Sequence, residues 1–259
     1  MHHRPDDVRF PLMESPLVGF VLAFMAGTMN AWSLANASTF STVQSGNVVS
    51  LGYFLAQGNW GKVAFPLGAV VAFGLGSAVS GGLMTMRRRQ GRAYTDSVLC
   101  AQAVLLVVLG ILAITLVAES RGTGEVLDFS VDHSAAAHRV AIGISFVAGA
   151  QGNAFHKDRG MLYGNVAVTF VVQMAFNFSV QSLFQKEGVN GEPNIKWAGI
   201  FFFVLLGFAG GGAVGFLVDA TVVDGASIFV SAIIAVVLLM VSRRKHSRNV
   251  DPTPGGSFV

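Results

Sequence analysis

Neutral polar side chains are the residues of this chain whose types and spacing point to chemistry. No charged side chain occurs between Glu14 and Lys62. A charged group inside a bilayer costs roughly 3 kcal/mol or more, so membrane segments keep few of them. The chemistry that remains is the binding of a small polar or anionic solute by uncharged groups. Groups that form hydrogen bonds without ionising lie in this stretch, among them Thr28, Asn30, Asn36, Gln44 and Asn47.

A second set of neutral polar residues lies in the other half of the chain, beginning with Gln151 and Asn153. Five more recur at every fourth position and therefore lie along one side of a helix: Asn165, Thr169, Gln173, Asn177 and Gln181. Since amides are disfavoured against lipid, this side is expected to face protein or water. Eight residues are predicted to converge on a central solute pathway: Asn30, Gln44, Asn47, Gln151, Asn153, Asn165, Thr169 and Gln173.

The same residues are also consistent with a purely structural role. Asn47 and Asn165 each follow a glycine near the start of a segment, where the free N–H groups of a helix attract anions. An asparagine in such a place can instead cap its own helix. Asn30, Gln151 and Asn153 can hydrogen-bond a neighbouring helix and hold it in position. The alternative function is therefore a non-transporting membrane scaffold or regulatory protein.

Other classes of function find little support in the sequence. An enzyme needs acid–base or nucleophilic groups within reach of one another, and the apolar stretches contain no such set. No metal or cofactor is expected, because His133 and His138 with Asp128 and Asp132 match no zinc-site spacing. Cys100 is the only cysteine, so there is no internal disulfide. Nucleic-acid binding is not expected, because the basic residues cluster beside apolar runs.

The composition predicts an all-α membrane protein embedded in the lipid bilayer. Charged residues make up 12% of the chain and hydrophobic residues 53%, whereas soluble domains contain about a quarter charged residues. A membrane-spanning helix needs roughly 20 mostly apolar residues. Two segments, 43–57 and 164–184, are too short or too polar and are predicted to be re-entrant or short helices. Six stretches qualify as spans: 16–36, 63–86, 96–118, 139–155, 197–218 and 225–242.

The distribution of basic residues supports this arrangement, because cytoplasmic loops carry excess lysine and arginine. With six spans and both termini cytoplasmic, 14 of the 17 Lys and Arg residues lie inside. Eight full spans would place 11 inside and 6 outside, and seven spans would place 8 inside and 9 outside. An eight-helix bundle of two parallel four-helix repeats is the alternative fold.

An internal duplication divides the membrane region into two halves. FMAGTMNAW at 24–32 is similar to FVAGAQGNAF at 146–155, and a Gly-Asn-Val step follows each, at 46–48 and 164–166. With three spans per half, the second half inserts upside down relative to the first, as in many transporters. Small residues at every fourth position predict close helix packing, and a homo-oligomer through glycine-rich helices is possible: Gly68, Ala72, Gly76 and Ser80, then Gly207, Gly211 and Gly215.

Five regions follow from these boundaries. The first membrane repeat covers 16–118 and the second covers 139–242, with an acidic extracytoplasmic loop at 119–138 between them. The N-terminal tail, 1–15, lacks the basic start and the cleavage site of a signal peptide. The C-terminal tail, 243–259, is basic and then rich in proline and glycine, and is expected to be disordered.

The stretch AGTMNAWSLANASTFSTVQSGNVVSLG contains, in order, a glycine, an Asn-Ala pair, a phenylalanine, a Ser-Gly-Asn step and a Leu-Gly pair. Further on, the step from Gly149 to Ala154 approximates Gly-x-Gln-Asn-Ala, with Gly152 as an extra residue. These motifs resemble the YoaK-like family of bacterial membrane proteins, a domain of unknown function. Asn30 stands where that family usually has an aspartate. The resemblance implies a multi-pass protein of the bacterial inner membrane and leaves the activity open.

Single cysteines placed at Lys62 and at Lys186, in a background that lacks Cys100, test the predicted topology. The arrangement with re-entrant segments puts these two positions on opposite faces of the membrane, because an odd number of spans separates them. Labelling with a membrane-impermeant maleimide should therefore modify only one of them in intact cells. Labelling of both from the same face would favour eight full spans.

Overall fold

The computed structural model describes residues 10–117, 134–244 and 250–252. Apart from single 3-10 turns at Leu12–Glu14 and Val189–Gly191 and a small antiparallel hairpin of β1 (Lys157–Asp158) and β2 (Met161–Leu162), the described elements are α-helices. They are α1 (Pro16–Ala37), α2 (Gln44–Ala56), α3 (Trp60–Arg89), α4 (Thr95–Leu116), α5 (Ala135–Ala154), α6 (Thr169–Phe184), α7 (Asn194–Thr221) and α8 (Ala226–Arg244). The all-helical fold class is thereby confirmed.

Five of the described helices are long and apolar enough to cross a membrane: α1, α3, α4, α7 and α8. The sequence predicts a sixth span at 139–155, which falls in α5. This helix has 20 residues but is not among the five. It carries polar residues at both ends, including Arg139 and Gln151, and its apolar side is buried among other helices. A helix enclosed by protein does not need the overall hydrophobicity of one that faces lipid.

Helices α2 and α6 are the shortest, with 13 and 16 residues. At 1.5 Å per residue they extend about 20 and 24 Å, less than the roughly 30 Å hydrocarbon thickness of a bilayer. Each follows a segment without helical structure, which we call the first linker (residues 38–43) and the second linker (residues 155–168). The second linker contains the β-hairpin.

The helices pack in pairs that join the two halves of the chain: α1 lies along α7, α3 along α5, and α4 along α8. The short helices are peripheral, since α2 packs on α3 and α6 packs on α7. Helices α1 and α7 run parallel, with Phe20 beside Gly207 and Phe24 beside Gly211. Helices α4 and α8 run antiparallel. The start of α4 therefore lies beside the end of α8, where Arg243 approaches Asp96 at 3.5 Å.

Four Phe-x-x-Gly sequences bring the paired helices into backbone contact. In the α1–α7 pair, a Cβ atom on Gly27 would overlap the carbonyl oxygen of Phe208, and one on Gly211 would overlap that of Phe24. The α3–α5 pair repeats this arrangement, with Gly76 against Phe146 and Gly149 against Phe73. Such small residues let helices approach closely in lipid, where van der Waals packing drives association. The predicted packing role of Gly76 and Gly211 is confirmed.

The last turns of α3 and α8 lie at one end of the molecule, which we call the basic end. Several segments of the chain pack together there. Asp251 accepts hydrogen bonds from the backbone N–H groups of Tyr94 and Thr95, both at 2.9 Å, and so caps α4. The N–H of Met13 donates to the carbonyl of Val250 at 3.1 Å. Residues 250–252, in a tail that the sequence predicts to be disordered, are therefore docked between the start of α1 and the start of α4.

Adjacent glycines in α7 provide a matched test of the helix contact. Gly211→Ala should destabilise the protein by about 1–3 kcal/mol, because the new methyl group meets the Phe24 carbonyl. Gly212→Ala has open space around its Cβ position and should gain up to about 1 kcal/mol from helix propensity. Thermal unfolding in detergent micelles measures both. Equal stabilisation by the two substitutions would contradict the close α1–α7 contact.

Candidate functional site

The two linkers meet inside the protein. The Thr42 hydroxyl in the first linker donates a hydrogen bond of 2.6 Å to the carbonyl of Val166 in the second. Thr42 is fully buried and Val166 nearly so. Backbone groups buried away from water need such partners, because an unsatisfied group costs as much as a lost hydrogen bond. This contact places the irregular parts of both halves at one point.

Asn30 of α1 holds the first linker in place. Its amide donates to the Thr42 hydroxyl at 2.7 Å, and its carbonyl oxygen accepts from the Thr42 backbone N–H at 3.1 Å. The Thr42 hydroxyl thus accepts from Asn30 and donates to Val166. Ser33, one turn further along α1, accepts from the backbone N–H of Ser41 at 3.2 Å. The side chains of α1 therefore provide hydrogen-bond partners for the returning backbone.

Gln151 of α5 occupies the corresponding place beside the second linker. Its amide donates to the carbonyl of Leu22 in α1 at 3.0 Å and lies 3.4 Å from the side-chain oxygen of Asn165. Asn165 in turn donates to the carbonyl of Phe155 at the end of α5. The Oε1 atom of Gln151 is buried and has no hydrogen-bond partner among the described residues. This oxygen is therefore available to accept a hydrogen bond.

Gln44 and Asn47 form a small network at the start of α2. Asn47 accepts from the Thr39 hydroxyl at 2.9 Å and donates to Gln44 at 3.0 Å, and Gln44 donates to the carbonyl of Ser41 at 2.8 Å. The N-cap residues of α2 and α6 are Val43 and Val168, and neither helix start receives a side-chain hydrogen bond at its cap. The alternative that Asn47 and Asn165 cap these helices therefore does not describe the structure.

The other three predicted site residues lie apart from this centre. The amide of Asn153 donates to Ser80 of α3 at 2.9 Å and so joins the α3–α5 pair. Thr169 and Gln173 are exposed on the side of α6 that faces away from α7, as is Asn177. The structure therefore gathers five of the eight predicted residues around the linkers: Asn30, Gln44, Asn47, Gln151 and Asn165.

Asp158 in β1 is a candidate functional residue that sequence reasoning missed. Only 2% of it is exposed, and neither carboxylate oxygen has a hydrogen-bond partner among the described residues. Its carboxylate and the Tyr163 ring both lie against Gly19, where a Cβ would be 3.1 Å from the Asp158 oxygen. Burial raises the pKa of Asp158 to about 7, Arg159 opposes this shift, and Glu14 adds to it. Its surroundings in the sequence, HKDRG, are typical of an exposed loop.

The predicted absence of a metal site concerns a region that the structure covers only in part. Asp128, Asp132 and His133 lie outside the described residues. His138 is described, and its ring stacks on Phe65 of α3 at a centroid distance of 4.1 Å. Within the described ranges, no group of three or more His, Cys, Asp or Glu residues could hold a metal ion.

Five long apolar helices, packed together with α5 through glycine contacts around a buried polar centre, identify a membrane-embedded helical protein. The chain belongs to the family described as "Protein of unknown function (DUF1275)", whose model matches residues 18–241. No curated protein and no solved structure matches the chain.

The buried carboxyl group of Asp158 should make the stability of the protein depend on pH. Between pH 3.8, the ordinary pKa of the group, and about pH 7, the folded chain holds one proton more than the unfolded chain. Stability should therefore fall as the pH rises through this window and level off above it. Each pKa unit corresponds to about 1.4 kcal/mol, so the total loss is on the order of 4 kcal/mol.

Asp158→Asn should remove this dependence and stabilise the protein at pH 8 relative to wild type. Glu187→Gln, at an exposed carboxylate in the α6–α7 loop, is the control and should retain the wild-type profile. Unfolding temperatures at pH 5 and pH 8 in detergent measure the effect. A wild-type profile in Asp158→Asn would show that the buried carboxyl does not titrate in this range.

Proposed function

We propose that this protein is a channel or carrier for a small polar or anionic solute, built from two inverted repeats, and not an enzyme. The observation that carries the proposal is the buried hydrogen bond from Thr42 to Val166, which joins the irregular segments of both halves. Irregular backbone at membrane depth is tolerated only where protein or a water-filled cavity satisfies it. Paired interrupted segments that meet near the midplane are the place where many transporters bind their solutes.

The helix pairing supports two halves of opposite orientation. Helix α1 pairs with α7 as α5 pairs with α3, and α2 packs on α3 as α6 packs on α7. The first three helices of each half therefore have matching neighbours. If the halves pointed the same way, α4 and α8 would run in the same direction. They run in opposite directions, since Gly110 of α4 lies beside Phe229 of α8 and Asp96 lies beside Arg243.

Contacts at the basic end support re-entry of the segment 164–184. Arg159, before this segment, forms an ion pair of 2.8 Å with Glu192, which follows it. Asn190 also donates to the carbonyl of Arg159 at 3.0 Å. The chain thus leaves and returns at one end of the molecule, which also holds Glu14 and Asp251. Counting α5 as a span, this arrangement has six spans and both termini on the cytoplasmic face of a bacterial inner membrane.

The first linker has the corresponding path at the opposite end. Thr42 lies beside Asn30, which is seven residues, or about 10 Å, before the end of α1. The chain therefore turns back along α1 before α2 begins and leads outward again. Two short helices, α2 and α6, then start next to the linker contact with no side-chain cap. Their free N–H groups, together with the Oε1 atom of Gln151, would bind a solute that carries both acceptors and donors.

The exposed side of α6 carries polar residues in its first turns and apolar ones, such as Val180 and Phe184, further along, and its polar part would add a wall to this pathway. Thr169, Gln173 and Asn177 face away from α7, whereas Val171, Ala175 and Phe178 are buried. Amides in a bilayer are stabilised by protein or by water, so this side requires one of them.

We assign this side of α6 to an aqueous lining that a second copy of the chain completes. Glycines with open surroundings on α2, such as Gly46 and Gly52, would allow that copy to approach closely.

A membrane scaffold is the second candidate, and one observation favours it. Asn30, Asn47 and Asn165 all donate hydrogen bonds to groups of their own chain. Residues that only support the backbone would show the same pattern. The finer resemblance to YoaK-like proteins does not separate these candidates, because it implies a membrane location without an activity.

Flux measurements in liposomes separate the two. Purified protein is reconstituted, and the entry of small anions (nitrate, formate) and neutral solutes (urea, glycerol) is followed by light scattering. Thr42→Val keeps the side-chain shape but removes the hydrogen bond between the linkers, and it should lower the flux of the transported solute about tenfold, the equivalent of about 1.4 kcal/mol. Asn47→Leu and Asn165→Leu should lower it as well.

Thr115→Val is the matched control, since Thr115 is on the exposed side of α4 and bonds only within its helix. Its flux should equal that of wild type. If wild-type liposomes conduct no better than empty ones, or if the three linker variants fold and conduct normally, the scaffold function replaces the pathway.

A further inference from the structure

A cavity of about 1000 Å³ lies between α3, α4 and α5. It exists because α3 packs along α5 and α4 packs along α8, so the two consecutive helices scarcely contact each other. Small side chains, among them Ala101 of α4 and Ala150 of α5, leave the space between them open. None of the lining residues belongs to either linker. The cavity is therefore separate from the polar centre.

The mouth of the cavity lies at the basic end and carries positive charge. Arg87, Arg92 and Arg243 line it together with one carboxylate, Asp96, which leaves an excess of two positive charges. Arg243 pairs with Asp96 at 3.5 Å. The Nε atom of Arg87 is buried and has no hydrogen-bond partner among the described residues. Planar guanidinium groups in such a cluster bind phosphate through charge-assisted hydrogen bonds.

Deeper in the cavity lies a buried amide without a partner. Gln102 is 1% exposed, and neither its oxygen nor its nitrogen has a hydrogen-bond partner among the described residues. Burying such groups without partners is unfavourable, and a ligand with a polar group at this depth would satisfy them. Gln102 is six residues beyond Asp96 on α4, or about 9 Å along the helix axis.

The walls also include apolar side chains from all three helices, among them Val79, Leu105 and Phe146. Along α4 the lining therefore changes from charged Asp96 to the amide of Gln102 and then to hydrocarbon at Leu105. A phospholipid has the same order of groups, with a phosphate, then ester carbonyls, then acyl chains. We propose that this cavity binds one anionic diacyl phospholipid, with its phosphate at Arg87 and Arg92 and an ester group at Gln102.

Native mass spectrometry of the purified full-length protein tests the proposal with three probes: dioleoyl phosphatidylglycerol, dioleoyl phosphatidylcholine and free glycerol 3-phosphate. Phosphatidylglycerol should be retained as a single bound molecule. Phosphatidylcholine, which has no net charge, should bind about tenfold more weakly, and glycerol 3-phosphate should neither bind nor compete at equal concentration. Equal retention of both lipids, or full competition by glycerol 3-phosphate, would overturn the proposal.

Three variants locate the bound lipid. The double variant Arg87→Gln/Arg92→Gln should lower phosphatidylglycerol retention about tenfold, and Gln102→Leu should lower it several-fold without reducing the unfolding temperature of the lipid-free protein. Arg89→Gln removes a neighbouring exposed charge that does not line the cavity, and it should have no effect. A loss in Arg89→Gln equal to that in the double variant would mean that general surface charge attracts the lipid, against the proposal.

The single cysteine of the chain offers an independent readout, because Cys100 lines the cavity. Alkylation of Cys100 with a bulky maleimide before lipid addition should block retention of phosphatidylglycerol. Cys100→Ala protein treated in the same way should retain it. Unchanged retention after complete alkylation would place the lipid outside the cavity and overturn the assignment. Liposome flux need not change in any of these variants, so the outcome is distinguishable from that of the solute pathway.

Discussion

Backbone that is not helical must find hydrogen-bond partners inside the protein when it lies in a membrane, and this constraint governs the centre of the molecule. Thr42 satisfies this constraint with three hydrogen bonds. Two are to the nitrogen and the oxygen of the Asn30 side-chain amide, and the third is to the carbonyl of Val166. In the second linker Asn165 donates to the carbonyl of Phe155, and the Gln151 amide lies beside the Asn165 side chain. The bond from Thr42 to Val166 joins the two linkers, so the polar centre is shared by both halves of the chain.

The glycine contacts bring the two halves close enough for that exchange. Gly27 and Gly211 allow α1 and α7 to touch backbone to backbone, and Gly76 and Gly149 do so for α3 and α5. The amides beside the linkers are close to these glycines in the sequence. Asn30 is one turn beyond Gly27, and Gln151 is two residues beyond Gly149. The same turn of helix thus sets the distance between helices and presents the amide that holds the linker.

Much of this architecture could be predicted from the sequence, because periodic small residues and uncharged apolar runs are local patterns that can be read without knowing the fold. The two short segments and the packing of Gly76 and Gly211 belong to that part. Two features could not be predicted. The burial of Asp158 depends on α1 and Glu14 covering a loop that is polar in sequence, and the exposure of Gln173 depends on which side of α6 packs against α7.

Charge and neutral polarity are separated in space, and this separation assigns different ligands to the two candidate sites. The hydrogen bonds at the linker centre come from amides, hydroxyls and backbone groups such as those of Asn30 and Thr42, so the proposed solute site would discriminate by hydrogen bonding. Guanidinium groups collect at the basic end, where Arg87 and Arg243 flank the α3–α4 cavity. In the proposed pathway a solute would have to leave its site, and neutral groups would bind it weakly enough to permit release. A resident lipid has to stay, which is the condition that a cluster of arginines above an apolar cavity satisfies.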